Sequence, residues 1–276
     1  MDILIPILIL SSLGLISGLG LAVASKRLAV KIDPRLEKIH GLLPGANCGA
    51  CGGAGCFGFA EAVLKGELDI SACRVAEEGK KEEIAAMLGK KLDRKTKLVV
   101  VLHCGGGKKV KDKFLYKGIP ACSAAILVMG GQKECRYGCL GFGDCVKACP
   151  FYAISMGDGG LPDGSQAGLP HINLERCKAC NKCVIACPKK LFTLTPQDAT
   201  VYVACRSHDL SKDTKAVCPV GCIGCKLCEK ACKFEAIRVV DNLAAIDYNK
   251  CTSCGECIKV CPTKAILEKF KKEKMM

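Results

Sequence analysis

Four short cysteine runs dictate most of what this chain can become. Two of them share one spacing, Cys177-x2-Cys180-x2-Cys183-x3-Cys187-Pro188 and Cys251-x2-Cys254-x2-Cys257-x3-Cys261-Pro262. Each is preceded by another run, and those two align without gaps. Cys135-RYG-Cys139-LGFGD-Cys145-VKA-Cys149 lies on Cys218-PVG-Cys222-IGCKL-Cys228-EKA-Cys232, with Phe142 standing where the second copy has Cys225. A strand-like Val201-Tyr202-Val203-Ala204-Cys205 also echoes the earlier Leu98-Val99-Val100-Val101-Leu102, which ends at His103-Cys104. The second half of the chain is therefore an internal duplication. Neighbouring cysteines this close suit a shared metal centre better than a set of disulfides, which would also need an oxidising compartment. Zinc sites favour two pairs separated by a longer spacer. The spacing thus points to iron–sulfur chemistry in a reducing compartment.

C-x2-C-x2-C-x3-C-P is the bacterial ferredoxin run, in which three thiolates hold one 4Fe–4S cluster and the fourth ligates its partner. The expected sets are then Cys222, Cys225, Cys228 with Cys261, and Cys251, Cys254, Cys257 with Cys232. In the first copy Cys177, Cys180, Cys183 and Cys149 form a regular set. Its partner has Cys139, Cys145 and Cys187, and Cys135 is the expected substitute at the position Phe142 leaves open. A three-iron cluster or a lost site is the alternative. Lys233, in place of proline after Cys232, should alter the turn more than the ligation. Four cysteines are then left over, Cys104, Cys122, Cys205 and Cys218. They suffice for a sixth cluster, or they are buried free thiols packing as small hydrophobes. Neither His103 nor His208 is expected to ligate metal.

Upstream, Cys48, Cys51, Cys56 and Cys73 follow C-x2-C-x4-C-x16-C, amid glycines that let a loop close around a cluster. Apolar spacing predicts helices over Phe57–Leu68 and Val75–Leu88, the first returning the chain so that Cys73 reaches the same site. Lys90 to Lys97 reads as a charged linker. Ile3 to Ser25 carries no charge and as a helix spans about 35 Å, enough for a hydrocarbon core of about 30 Å. Lys26, Arg27 and Lys31 follow it, and the positive-inside rule leaves the rest of the chain in the cytoplasm. A cleaved signal peptide is the rival, but no basic residue precedes the apolar stretch. Gly14 and Gly18 form a small-xxx-small face within it.

Formal net charge is +14, which alone would suggest nucleic acid or an anionic surface. A 4Fe–4S core on four thiolates carries roughly −2, so five or six offset most of that excess. With no Trp and 5% aromatics, stacking platforms for bases are scarce, and no nucleic-acid partner is expected. No G-x-G-x-x-G follows a strand, and Gly105-Gly106-Gly107-Lys108 lacks the flanks of a phosphate loop.

One apolar N-terminal helix, then C-x2-C-x4-C-x16-C, then ferredoxin runs, in that order, resembles the B subunit of Rnf complexes in its longer form. The resemblance implies an electron-transfer subunit of a redox-driven ion translocase, the ferredoxin:NAD oxidoreductase. Electrons would come from soluble ferredoxin and pass to other membrane subunits, with no substrate-converting site in this chain. An anchored polyferredoxin of another reductase or hydrogenase is the alternative. The expected fold is α+β, with a transmembrane helix over residues 1–28 and a one-cluster domain over 29–90. Ferredoxin-like units should follow over 91–215 and 216–276, in a single-pass protein of the cell membrane. The expected cofactors are five 4Fe–4S clusters, or six if the leftover cysteines bind one. Lys264, Lys269, Lys271 and Lys272 are expected as surface cations near the last pair.

Overall fold

The computed structural model describes residues 4–28, 33–92, 96–157 and 167–269. Ile3, Lys31, Lys271 and Lys272 lie outside them. Helix α1 (Leu4–Leu28) is apolar along its length and ends on Lys26 and Arg27. Its side chains from Ile7 to Leu21 are exposed on every side. A helix with no polar face and no packing partner needs an apolar surrounding, and this one is long enough to be a candidate membrane span.

The first domain packs α2 (Pro34–Leu42), α3 (Gly55–Lys65) and α4 (Glu78–Met87) around Leu36, Ile39, Phe59, Val63, Ile70 and Ile84. The Asp33 carboxylate caps α2 by accepting from Arg35 N at 2.8 Å, with Pro34 at the first turn where no N–H is required. Helix α3 stops before the expected Leu68 because Gly66 takes a left-handed conformation at its end, φ 80°. Helix α4 begins later than expected, since Val75 and Ala76 are buried in the core within a bend that precedes the helix.

Two similar units follow. The first has strands β1 (Leu98–Leu102), β2 (Ile154–Met156), β3 (Pro170–Ile172) and β4 (Phe192–Pro196). They form two antiparallel pairs, β1 with β4 and β2 with β3. The second has β5 (Val201–Val203), β6 (Ile237–Val240), β7 (Leu243–Ile246) and β8 (Ile266–Glu268), paired the same way. In each unit the outer pair closes the chain ends and the inner pair is a hairpin between the cysteine runs. A boundary at 215 cuts across this pattern: β5 closes the second unit by pairing with β8, so the units divide between Pro196 and Val201.

The units also pack on each other. Val101 of β1 is buried with Tyr202 and Ala204. His103 bridges them, its Nδ1 2.7 Å from Val203 O and its Nε2 2.6 Å from Thr193 Oγ1. A carbonyl can only accept, so Nδ1 carries the proton and Nε2 accepts from the threonine hydroxyl. Lys269 is not the surface cation expected from sequence. It is 5% exposed, donates to Pro196 O across the seam, and burial pushes its ammonium down to about 8.

Candidate iron–sulfur sites

Six residues, Gly141, Gly143, Gly224, Gly255, Asn181 and Lys226, sit left-handed in the cysteine loops, joined by Ala179 and Ser253. They fall in pairs, one pair in each of the four runs: Gly141/Gly143, Ala179/Asn181, Gly224/Lys226 and Ser253/Gly255. The second member of each pair caps the short helix that follows, α6 (Asp144–Lys147), α7 (Lys182–Ala186), α9 (Leu227–Ala231) or α10 (Glu256–Lys259); α5 (Cys122–Ala125) and α8 (Ser211–Val217) lie elsewhere in the two units. Left-handed residues in such tight loops help to turn backbone N–H groups inward, a concavity that favours anions. For Ala179, Lys226 and Ser253 that conformation costs of order 1 kcal/mol or more each, so the loop shape is imposed against local preference.

The last cysteine of every run is held identically. The sulfurs of Cys149, Cys187, Cys232 and Cys261 each accept the N–H four residues on, from Ala153, Leu191, Ala236 and Ala265, at 3.2–3.4 Å. Their carbonyls accept from Tyr152, Lys190, Glu235 and Lys264, each left-handed. The Lys233 copy makes the same turn as the three proline copies. Proline only presets a φ that lysine also adopts at that turn position, so the expected alteration is not seen.

These loops surround three small cavities. One is lined by Cys232, Cys251, Cys254 and Cys257, and one by Cys222, Cys225, Cys228 and Cys261. The third is lined by Cys122, Cys139, Cys145 and Cys187. Cys183 lies within electrostatic reach of Cys177, Cys180 and Cys149, and also of Cys145 in the neighbouring set. In the first domain Cys51 feels Cys73 and Cys48, and Cys56 and Cys73 share one core. Cys180 is buried in that same core and feels Cys48, so the first domain and the first unit meet at their thiols. All 24 cysteines are free thiols. Among the described residues no group of three or more His, Cys, Asp or Glu closes up as a site for a single ion. Four thiols spread around a cavity, with N–H groups aimed at sulfur, fit the larger 4Fe–4S group.

Cys122, not Cys135, stands beside the gap left by Phe142. Phe142 turns into a cluster with Tyr116, its ring centroid 5.4 Å away, and with Cys122, Ala125 and Leu140. Helix α5 begins at Cys122, and the N–H groups of Cys122 and Ser123 both donate to the Asp144 carboxylate at 2.9 Å. Although burial alone would raise it, those bonds hold the Asp144 carboxyl below its usual range. Cys135 packs instead with Val110 and Cys218. The signal was in the alignment: Cys122 has no counterpart in the second copy, which has its own cysteine at 225. Asp144→Ala should therefore loosen this one site, with roughly 10–100-fold faster iron loss to a chelator than from wild type. Unchanged loss kinetics would show that Asp144 does not position Cys122.

Burial pushes the thiols of Cys145, Cys183, Cys205 and Cys228 up to about 12. Without metal they keep their protons; a bound cationic centre withdraws them. Cys225 and Cys254, the middle cysteines of the second unit, are exposed, whereas Cys180 at the equivalent place in the first unit is covered by the first domain. Neither nitrogen of His103 is free for a metal, and His208 uses Nδ1 on Asp241 O at 3.0 Å.

Comparison with known proteins follows the same partition. Residues 43–75 match the family described as "Putative Fe-S cluster", and residues 134–191 and 221–265 match "4Fe-4S dicluster domain". The B subunit of the ion-translocating oxidoreductase complex of Methanosarcina acetivorans is 42% identical, covering 94% of this chain and 96% of the relative. The B subunit of the Na(+)-translocating ferredoxin:NAD(+) oxidoreductase complex of Acetobacterium woodii is 41% identical over 96% of this chain and 77% of its own. The proton-translocating counterpart from Clostridium ljungdahlii is 40% identical, with 96% and 92% covered. At 40–42% identity over 94–96% of its length, the chain belongs to the B-subunit family of the Rnf ion-translocating oxidoreductases.

Proposed function

We propose that this chain is the membrane-anchored electron-transfer subunit of an ion-translocating ferredoxin:NAD oxidoreductase, receiving electrons from reduced ferredoxin and passing them to other subunits. Bound 4Fe–4S clusters would supply one-electron carriage. The observation that carries the reading is the exposure of Cys225 and Cys254 in the last unit, amid exposed Lys226, Lys233, Lys250 and Lys264. Thiols at the surface offer a docked carrier the shortest approach, and lysines around them attract an acidic one. At the other end, the first domain follows directly on the apolar helix. Its Cys48 meets Cys180, so the relay would run from solvent toward the membrane. Lys26 and Arg27 at the end of α1 support a cytoplasmic location for everything after them. NAD reduction and ion movement are assigned to other subunits, since the sequence has no dinucleotide-binding glycine motif.

The test is stopped-flow mixing of reduced ferredoxin with the detergent-solubilised full chain at several ionic strengths. Fast reduction at low salt should slow roughly tenfold or more as salt rises past the screening range. Slow, salt-independent transfer would exclude ferredoxin as direct donor. NADH formed by this chain alone would move the nucleotide site back onto it.

A further inference from the structure

Cys104, Cys135, Cys205 and Cys218 are two equivalent pairs. Cys104 and Cys205 end the repeated strands, and Cys135 and Cys218 open the two aligned runs, four residues before Cys139 and Cys222. The structure treats each pair alike. Cys104 Sγ accepts from Cys139 N at 3.5 Å, and Cys205 accepts from the backbone of Cys222, the residue aligned with Cys139. After Cys135 and after Cys218 the chain makes the same tight turn, Gly138 N to Cys135 O at 2.9 Å and Gly221 N to Cys218 O at 3.3 Å.

The two pairs meet where the units pack. Cys218 lies within electrostatic reach of Cys135 and Cys104, and Cys205 within reach of Cys104, which makes Cys104 the hub of the group. Cys135 and Cys218 share one buried cluster with Val110. The chain beside Cys104 comes in close: a Cβ on Gly106 would stand 3.4 Å from Cys218 Sγ and 2.7 Å from Val110 Cγ2. Arg136 pairs with Asp209 and ties the two units beside the group.

From this pseudo-symmetric convergence we propose that Cys104, Cys135, Cys205 and Cys218 bind a further 4Fe–4S cluster at the seam between the two ferredoxin-like units. Cys104, Cys205 and Cys218 lie outside the stretches that match the dicluster family. The seam site adds a bridge to the relay proposed above. Cys139 and Cys222, whose N–H groups bond its sulfurs, each line the nearest cavity of their own unit. One peptide group thus separates the seam from each neighbour. Buried free thiols would fill space as well, but packing alone gives no reason for equivalent residues of both copies to converge with equivalent hydrogen bonds.

Iron and acid-labile sulfide are counted on the full chain, purified anaerobically. Six four-iron sites give a plateau of about 24 iron atoms per chain, against about 20 for five. Cys218→Ala and Cys135→Ala should each lose about four. The double variant Cys122→Ala/Cys135→Ala should lose about eight, because its two cysteines serve different sites. A loss of only about four in the double variant would place both on one site and overturn the proposal. Should the variants misfold, the wild-type plateau decides: near 24 supports the seam site, and near 20 removes it while leaving the five-site relay intact.

Discussion

Cys149→Ala will empty the site formed by Cys177, Cys180 and Cys183 while sparing the one that contains Cys139 and Cys145. Cys149 follows α6, and Cys145 lies on that helix, yet the two thiols serve different neighbours. The cavity of Cys145 is completed by Cys122, Cys139 and Cys187. Cys149 instead lies among the thiols around Cys183 and Cys180. The iron count should fall by about four. The larger consequence is for wiring. Cys180 is the thiol that meets Cys48, so losing its site disconnects the first domain from both ferredoxin-like units. Reduction from the C-terminal side should then stop before the membrane-proximal site, which spectroscopy of the partly reduced chain would show directly. Loss of the Cys139 site, with that of Cys177 intact, would refute crossed ligation.

Phe59→Ala should be the most destabilising single substitution in the first domain. Phe59 is 1% exposed at the centre of α3, and Gly53 approaches its backbone so closely that an added Cβ would stand at 2.8 Å. Removing a ring from such a site costs about 3–5 kcal/mol in lost burial and in the cavity left behind. A domain this size is stable by about 5–15 kcal/mol, so the change consumes a large share. Cys56, Cys73 and Cys180 belong to the same core. Cluster absorbance should therefore bleach at markedly lower denaturant, beginning with the first domain. Phe57→Ala is the control, since Phe57 is 44% exposed and only edges against His40; its cost should stay near or below 1 kcal/mol. Equal resistance of the two variants would mean that this core does not hold the site.

The cysteine spacing alone announced the iron–sulfur chemistry and the duplication, and the two stretches that match the dicluster family bear both out. Those are local facts. A loop of x2 spacers can close only one way around a shared centre, and the same left-handed pairs recur in all four runs, even where Phe142 replaces cysteine. Length and absence of charge likewise announced the apolar helix. Sequence misjudged Lys269, which reads as one more C-terminal cation and is buried against Pro196. It also misjudged Lys233, because a missing proline looks more disruptive on paper than in a turn whose φ lysine can reach.

What only the tertiary structure decided is the traffic of single cysteines between segments far apart in the chain. Cys122 reaches the Phe142 site because Asp144 grips the start of α5 from across twenty-odd residues of loop. Cys135, nearer in sequence, is carried away to Cys218 by the packing of one unit on the other. The division between the units was equally hidden, since a strand of three residues takes its partner from hydrogen bonds to β8 and not from its position along the chain. Short-range spacing fixes ligands that one loop can bring together; ligands contributed across an interface depend on which surfaces bury each other, and that is settled only when the whole chain has packed.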